Sequence, residues 1–209
     1  MRIKYIFFVF CCLLLAACGG HKQTGNVFNI MDFGAAGDGK TDDAIAIQAA
    51  IDACVQAGGG QVLVPAGHTF LCSPFKLASF VELHLEANSR LLANPDESVY
   101  TESAFRENRG EGMMWISGKN LEQVSITGMG TIDGNGVAFM GKELEDSYEL
   151  KPVTDFDPRP HVLTLEAIDR LVIRDITLCN SPYWTVHLIG CKDAVIEGIS
   201  IRNNLKIRN

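Results

Sequence analysis

Residues 167–180 read AIDRLVIRDITLCN, and residues 190–203 read GCKDAVIEGISIRN, 23 positions further along the chain. The offset aligns apolar residues with apolar residues: Ile173 with Ile196, Ile176 with Ile199, and Leu178 with Ile201. A second offset of 47, about two such periods, aligns residues 124–128 with residues 171–175. A unit of about 23 residues that holds several short strands is typical of one coil of a solenoid. The repeat therefore predicts an all-β solenoid whose coils stack along one axis.

Short alternating runs, separated by Gly, Asn and Pro, fill the chain from Gln61 onward and predict strands. They cover residues 61–65, 80–85, 120–127, 161–165, 171–178, 185–189 and 195–201. A leucine-rich repeat has a similar period, but its L-x-x-L-x-L rhythm and its helices are missing here. A β-sandwich would not repeat in sequence. We therefore predict a right-handed parallel β-helix, in which Asn180 and Asn203 belong to a ladder of amide hydrogen bonds.

A single amphipathic helix is predicted before these strands. Residues 28–33 alternate like a short strand, and a Gly-rich turn follows. Thr41 is the predicted helix N-cap, with Asp42 and Asp43 in the first turn, where the helix dipole favours anions. Apolar residues recur at helical spacing until the glycines at 58–60 end the helix. We expect the helix and the strand before it to cover the open end of the β-helix, because unpaired strand edges invite aggregation.

The first residues have the pattern of a lipoprotein signal peptide. Two basic residues precede an unbroken apolar run, residues 5–17, that is too short to span a bilayer. The run ends in LAAC at residues 15–18, a pattern in which lipoprotein signal peptidase cuts directly before the cysteine. We expect removal of residues 1–17, a lipid on Cys18, a flexible tether over residues 18–26 and a β-helix domain over residues 27–209. The alternative is an uncleaved membrane anchor with a coincidental cysteine. The expected location is the periplasm-facing side of a membrane, or the outer membrane, of a Gram-negative bacterium.

Charge and cysteine content exclude several classes of function. The formal net charge of −7 becomes −9 without the two basic residues of the signal peptide, which argues against nucleic acid as a partner. A polyanionic substrate would need a local basic patch to overcome this negative field. The cysteines of the β-helix domain are widely spaced without any C-x-x-C pair, so zinc is not expected. They are Cys54, Cys72, Cys179 and Cys191. Disulfides and buried thiols are both open alternatives for them.

The start of the predicted domain resembles pectin-lyase-like β-helix proteins. Residues 32–43 read DFGAAGDGKTDD, residues 46–52 read AIQAAID, and residues 58–67 read GGGQVLVPAG. Together they closely resemble the opening of that superfamily. Hydrolases, lyases and phage tailspikes share this opening, so the resemblance implies the fold more than the chemistry.

Two later features are similar to glycoside hydrolase family 28, the polygalacturonase family. Residues 128–136, GMGTIDGNG, resemble its G-x-G-x-I-D-G-x-G segment. Arg159-Pro160, followed by NSPYWTVH at residues 180–187, resembles its R-P and N-S-P-x-W-x-x-H. The resemblance implies an inverting hydrolase of the α-1,4-galacturonosyl linkages of pectin, whose acid and base carboxylates seat a water molecule. It also implies a monomer that binds pectic polysaccharide or oligogalacturonide and uses no cofactor or metal.

The catalytic motifs that the resemblance implies do not occur at the matching places. In the family they are N-[TN]-D, D-D, G-H-G and R-I-K, all after the N-S-P-x-W coil. Similar residues at different positions do not match these motifs: the Asp42-Asp43 pair starts the helix, His68 lacks a second glycine, and residues 2–4 belong to the signal peptide. We therefore assign no catalytic residue among the 209 positions, and we expect this polypeptide alone not to hydrolyse polygalacturonate. A premature stop, a frameshift or a partial gene model is the expected origin, with C-terminal coils missing.

Three residues near the N-S-P-x-W segment are candidates for contact with a glycan. Tyr183 and Trp184 follow a Ser-Pro turn, where their rings can stack on a sugar, although Trp184 can equally pack against its own coil. His187 lies two residues into the next strand. The family resemblance implies a place for it near the cleft floor, and a structural histidine bonded to the backbone is the alternative.

Arg159 is the fourth candidate. Its guanidinium can bind a galacturonate carboxylate in a bidentate manner. We prefer the alternative that it pairs with Asp155 or Asp157 in its own loop. That loop, residues 139–157, is long and acidic and interrupts the repeat, so it is a candidate wall of the groove. Its acidic residues are interpreted as a solvated surface: Glu143, Glu145, Asp146 and Glu149.

Three functions are compatible with these patterns. The first, which we predict, is a pectin-active glycoside hydrolase present in N-terminal part. The second is a non-catalytic polysaccharide-binding β-helix lipoprotein, and the third is a polysaccharide lyase of the same fold. By resemblance, such lyases use Ca²⁺ and a basic residue, so a cluster of acidic ligands on one β-face would favour them. The sequence shows no such cluster in these coils.

Overall fold

The computed structural model of the chain describes residues 25–105, 111–144, 150–152 and 159–207. The predicted signal peptide, Cys18 and all but the last residues of the tether lie outside the described residues. Across the described ranges, no helix has the length and apolar character needed to cross a membrane.

The described ranges contain one α-helix, three short 3₁₀ helices and sixteen strands. The α-helix, α1, spans Ala44–Gln56, and the 3₁₀ helices span Ile30–Phe33, Glu97–Val99 and Gly136–Phe139. The strands are β1 (Val27–Asn29), β2 (Asp38–Asp42), β3 (Gly60–Val64), β4 (Thr69–Cys72), β5 (Phe75–Lys76), β6 (Val81–Leu85), β7 (Arg90–Ala93), β8 (Met113–Gly128), β9 (Thr131–Asp133), β10 (Met140–Glu143), β11 (Leu150–Pro152), β12 (Pro160–Arg174), β13 (Thr177–Cys179), β14 (Val186–Ile189), β15 (Val195–Glu197) and β16 (Ser200–Arg202). Residues 28–33, predicted as one strand, divide into the end of β1 and a 3₁₀ helix.

Except for β10 and β11, the strands stack in parallel and form three faces. Face 1 contains β5, the first half of β8, the first half of β12, and β14. Face 2 contains β1, β3, β6, the second halves of β8 and β12, and β15. Face 3 contains β2, β4, β7, β9, β13 and β16. Each coil runs through faces 1, 2 and 3 in turn, so the predicted right-handed parallel β-helix is confirmed.

The repeat of 23 residues is one coil of this stack. β12 pairs with β14 at that offset, with Leu163 beside Val186. The interpretation of the offset of 47 as two periods is wrong, because β8 and β12 are direct neighbours, with Val124 beside Leu171. A single coil is enlarged there by an insertion, residues 134–159, between face 3 and face 1.

Each coil turns from face 2 to face 3 at a residue in the left-handed conformation. Asp175 (φ 60°) and Gly198 (φ 64°) occupy this position in successive coils. The predicted strands 171–178 and 195–201 are therefore each two strands, divided at these residues. The corner is also visible in the pattern of burial. The inward-facing residues have odd numbers before Asp175 and even numbers after it. They are Leu171, Ile173, Ile176 and Leu178.

The helix α1 takes the place of a face 1 strand in the first coil. It packs against β1, β3 and β5, and the side chains of Ile47, Ile51 and Cys54 are fully buried. The prediction that the helix covers the end of the stack is confirmed. Apolar burial of this one face stabilises both the helix and the first coil, since an isolated helix of this length is marginal in water.

The start of α1 differs from the prediction. Thr41 is not the N-cap: it lies in β2, and α1 begins at Ala44 with Asp43 at the N-cap position. The Asp43 carboxylate accepts hydrogen bonds from the backbone N–H groups of Ala36 at 2.6 Å and Gly37 at 3.2 Å. These donors belong to the preceding turn, so the buried carboxylate fixes that turn against the helix rather than capping it.

Residues 128–136 need glycine because adjacent coils approach closely there. Gly128 has φ +105° and pairs with Leu85, and a Cβ on Gly128 would overlap the Leu85 carbonyl oxygen. A Cβ on Gly130 would lie 2.5 Å from the hydroxyl oxygen of Ser89. The motif is therefore explained by the stacking of one coil on the next.

Asp133, in the same motif, joins three coils on face 3. Its side chain is 4% exposed and forms an ion pair with Arg90 at 2.5 Å. It also accepts a hydrogen bond from the side-chain amide of Asn180 at 3.1 Å. The predicted amide ladder is therefore wrong in its partners, because Asn180 donates to Asp133 and Asn203 accepts from the Ser181 backbone N–H at 2.9 Å.

The cysteines of the described chain are free thiols, so the alternative of disulfides is not adopted in this structure. They are Cys54, Cys72, Cys179 and Cys191. Complete burial raises the pKa of Cys72 well above its ordinary value. Burial, together with the neighbouring Asp133 carboxylate, raises the pKa of Cys179 to about 12. Both thiols are therefore neutral at physiological pH and poor nucleophiles.

Candidate functional site

An open groove of about 1100 Å³ lies along face 1. Its floor carries a row of polar side chains that four adjacent coils place in register: Lys76 on β5, Ser117 on β8, Thr164 on β12 and His187 on β14. Because neighbouring strands are about 4.8 Å apart, the row follows the stacking axis of the coils. A linear polymer laid along the groove would meet each coil in turn.

The charged side chains among the described residues of the groove form ion pairs. The Lys76 ammonium lies 2.6 Å from a Glu102 carboxylate oxygen, and the Lys119 ammonium lies 2.8 Å from one of Glu166. Apolar side chains lie between and beside these pairs. They are Leu77, Phe105, Met114, Leu121 and Ile189.

One wall of the groove comes from the described part of an insertion before β8, residues 94–112. Its residues 102–105 line the groove. The Met114 backbone N–H donates to the Glu102 carbonyl at 2.9 Å, which holds this wall against face 1. The insertion leaves the stack at the corner between face 3 and face 1, the same corner as the larger insertion at residues 134–159.

The predicted wall, residues 139–157, does not line the groove in its described part. Its residues contact the last described coil instead. The Glu143 carboxylate lies 2.8 Å from the Lys206 ammonium, and the Leu150 backbone N–H donates to the Lys206 carbonyl at 2.7 Å. Three of the acidic residues assigned to a solvated surface lie outside the described residues. They are Glu145, Asp146 and Glu149.

Five rings form an aromatic cluster that adjoins the groove. They are Phe105, His161, Tyr183, Trp184 and His187. The Trp184 ring stacks on His161, with centroids 5.0 Å apart and planes 10° from parallel. Trp184 is still 42% exposed, so one part of the indole is fixed by packing and another part is open to solvent. The interpretation that Trp184 packs against its own coil is confirmed, and its contact with a sugar stays a prediction.

His187 has a buried partner that the sequence did not indicate. His161 is fully buried, and its Nδ1 lies 3.1 Å from Nδ1 of His187. One of these nitrogens donates and the other accepts, so the contact holds a single proton. Burial lowers the pKa of His187 below its ordinary value. The neutral form is thereby favoured in the native structure.

Thr164 lies in the floor of the groove, and its hydroxyl is buried. The residue is 3% exposed, and its hydroxyl oxygen has no hydrogen-bond partner within the described ranges. A buried polar atom without a partner costs roughly 1–3 kcal/mol.

Arg159 is buried beside the aromatic cluster. It is 4% exposed, and its guanidinium carbon lies 5.3 Å from the centre of the Tyr183 ring, a cation–π contact. Its Nη1 also lies 3.5 Å from the Met140 sulfur. The structure therefore places Arg159 in support of Tyr183 and not in the lining of the groove. Its predicted partners Asp155 and Asp157 lie outside the described residues.

The capping role predicted for the Asp42-Asp43 pair in the first turn of the helix is wrong for Asp43, because both residues precede α1 and only Asp42 bonds to the start of the helix. The Asp42 carboxylate accepts hydrogen bonds from the backbone N–H groups of Ala44 at 3.1 Å and Ser73 at 3.0 Å. Neither aspartate lines the groove. In the described part of the chain, no three His, Cys, Asp or Glu side chains converge to hold a metal ion.

Three residues of the site were not predicted from the sequence: Thr164, His161 and Phe105. The sequence contains a signal for the first of them. Thr164 stands 23 residues before His187, so the repeat itself places it in the same row. His161 stands 26 residues before His187, outside the period, and no pattern identifies it. Phe105 comes from an insertion, where the repeat gives no register.

Comparison with known proteins agrees with this architecture. The model of glycosyl hydrolases family 28 matches residues 54–209, about three quarters of the chain. A probable polygalacturonase of Vitis vinifera is 33% identical over 201 residues, which cover 88% of this chain and 38% of the relative. An exopolygalacturonase of Zea mays is 29% identical over 181 residues, covering 85% of this chain and 40% of the relative. The chain thus spans about two fifths of the length of these relatives.

Among solved structures, the family 28 exopolygalacturonase of Yersinia enterocolitica has the same fold. It superposes with a TM-score of 0.71 and 22% sequence identity, over 86% of this chain and 39% of that one. The parallel stack of coils is therefore a shared architecture. On the strength of the match to residues 54–209, the chain belongs to glycosyl hydrolases family 28.

Proposed function

We propose that this chain provides the glycan-binding coils of a polygalacturonase-type hydrolase, which cleaves α-1,4-galacturonosyl linkages of pectic polysaccharide with inversion. Membership of family 28 and the two plant polygalacturonases support the reaction type. The observation that carries the proposal is the groove on face 1, which crosses four coils and adjoins the aromatic cluster. An extended polymer suits such a groove better than a small ligand does.

In this proposal the candidate residues have different roles. Trp184 provides an apolar platform for a sugar ring, held in orientation by His161. Tyr183 is fixed by Arg159 beside this platform, so Arg159 acts on the glycan only through Tyr183. His187 provides a polar contact from the floor of the groove.

Replacing Trp184 with alanine is expected to weaken the binding of a partly esterified pectic oligosaccharide roughly tenfold, since an exposed tryptophan at a binding surface is often a dominant contact. The other tryptophan, Trp115, is 1% exposed, so a change of tryptophan fluorescence on titration reports on Trp184. Isothermal titration calorimetry measures the affinity of the variant. Phe80→Ala is the matched control, because Phe80 is 46% exposed and lies outside the groove. Equal affinities of Trp184→Ala and Phe80→Ala would contradict the proposed platform.

The polypeptide of 209 residues is expected to bind pectic glycan without cleaving it. Inverting hydrolysis needs an acid and a base on opposite sides of the bond with a water molecule between them. The described groove holds two glutamates, Glu102 and Glu166, and each is paired with a lysine. A reducing-end assay on polygalacturonate, with a complete family 28 enzyme as the positive control, measures this. Release of reducing ends at a rate comparable to the control would contradict the expectation.

A further inference from the structure

His161 lies at the centre of the aromatic cluster. The distances from its ring centroid are 5.5 Å to Phe105, 5.3 Å to Tyr183, 5.0 Å to Trp184 and 5.0 Å to His187. Of these five rings, only that of His161 is fully buried. His161 therefore supports the other rings from within the coil and does not reach the solvent-exposed surface of the groove.

Two contacts determine how Trp184 is presented to solvent. Its backbone carbonyl accepts a hydrogen bond from the Val162 N–H at 2.9 Å, so β12 holds the main chain of Trp184 in place. The side chain can still choose among staggered rotamers. The His161 ring, which stacks on the indole with the planes 10° from parallel, selects one of them. The exposed part of the indole is therefore offered in a single orientation.

The same imidazole determines which nitrogen His187 offers to the groove that it lines. Nδ1 of His187 lies 3.1 Å from Nδ1 of His161, so Nε2 is left for a ligand. The shared proton also sets the tautomer. If His161 donates, Nε2 of His187 carries a hydrogen and donates, and if His161 accepts, this Nε2 accepts. Burial lowers the pKa of His187, which keeps the ring neutral and able to share one proton at neutral pH.

We propose that His161 is a positioning residue for the glycan, because it orients the Trp184 ring and Nε2 of His187 at the same time. This role rests on the proposed function, since it assumes that a pectic chain binds at these coils. His161 acts through its two neighbours and does not touch the glycan. An imidazole provides both a flat ring and a nitrogen that shares a proton, whereas phenylalanine keeps only the ring and asparagine only the polar contact.

His161→Phe and His161→Asn separate the two contacts, once thermal unfolding has established that each variant is folded. Each is expected to weaken the binding of an oligogalacturonide about threefold to fivefold in calorimetric titration of the full chain, roughly the effect of one lost contact. In the unbound chain, the tryptophan emission maximum is expected to move to longer wavelength in His161→Asn, because the indole loses its stack. In His161→Phe it is expected to stay in place.

Double-mutant cycles distinguish positioning from a general loosening of the fold. When His187 is already replaced by alanine, His161→Phe is expected to change the affinity by less than about twofold, since its effect passes through His187. When Trp184 is already replaced by alanine, the same is expected of His161→Asn for the part of its effect that passes through the indole. The two cycles use different variants, so each one tests the role by itself.

His84→Phe is the matched control. Nδ1 of His84 makes a comparable contact with the Thr127 hydroxyl oxygen, at 2.7 Å, but on face 2 and outside the groove. The same side-chain replacement is thus made away from the glycan, and the affinity is expected to stay within about twofold of that of the parent chain.

Two results would overturn the positioning role and leave the proposed function in place. The first is the affinity of the parent chain in both His161 variants. The second is a loss in the His187→Ala and Trp184→Ala backgrounds that equals the loss in the parent chain. Failure of the parent chain to bind the oligogalacturonide would overturn the proposed function, and the positioning role with it, even if the emission of His161→Asn were shifted.

Discussion

Gly128→Ala is expected to lower the free energy of unfolding by about 3–5 kcal/mol, because two costs add at one position. The backbone has φ +105°, which an alanine adopts only under strain, and the new Cβ would overlap the carbonyl oxygen of Leu85. That oxygen belongs to the neighbouring coil and cannot move away without breaking the pairing of β6 with β8. Urea unfolding followed by circular dichroism measures the loss.

Gly34→Ala is the matched control for the strain alone. Gly34 has a similar φ of +94°, but no atom lies within 4 Å of the Cβ position. Its expected cost is about 1 kcal/mol, the value for a left-handed alanine without a clash. If the two variants lost the same stability, close approach of the coils at Gly128 would not be what requires glycine.

The second large effect is expected for Asp133→Ala, with a loss of about 3 kcal/mol. One buried carboxylate forms the ion pair with Arg90 at 2.5 Å and accepts hydrogen bonds from Asn135 N–H at 2.8 Å and Asn180 at 3.1 Å. These partners come from three successive coils. Its removal leaves several polar groups unsatisfied at once, and thermal or urea unfolding reports the sum.

Glu122→Ala provides the comparison for an ion pair at the surface. Glu122 pairs with Arg170, and the two side chains are 50% and 47% exposed. Water screens this pair, so the expected cost is below about 1 kcal/mol. A similar loss for Glu122→Ala and Asp133→Ala would mean that burial adds nothing to the Asp133 contacts.

The coil was predictable from sequence because the inward side chains repeat at 23 residues. Two features were harder to predict. An insertion of about one coil's length imitates a second period, which is why β8 and β12, direct neighbours in the stack, were interpreted as two coils apart. The sequence analysis did not predict the corner at Asp175, because apolar residues continue on both sides of it. The spacing of the buried residues does mark the corner, since it is three positions between Ile173 and Ile176 and two positions elsewhere in the strands.

The candidate site was predicted only in part, for a related reason. Tyr183, Trp184 and His187 follow one another in a short segment, so a local motif identifies them. Their partners do not: Phe105 reaches the aromatic cluster from an insertion, and His161 pairs with His187 from outside the repeat. Contacts between insertions and coils depend on tertiary packing, which a period in the sequence does not encode.

The segments that cross the corner between face 3 and face 1 vary in length, whereas the stacked strands on either side of it, which stabilise the molecule, do not. Between β4 and β5 the chain crosses this corner with only two residues, Ser73 and Pro74, while after β7 and β9 it inserts long segments at the same corner. The strands on both sides stay in register in every case, and lengthening a loop costs only about 0.6 kcal/mol per doubling. Evolution or a protein engineer can therefore exchange the walls of the groove as modules and redirect its selectivity, while the columns of Ile, Val and Leu beneath stay unchanged.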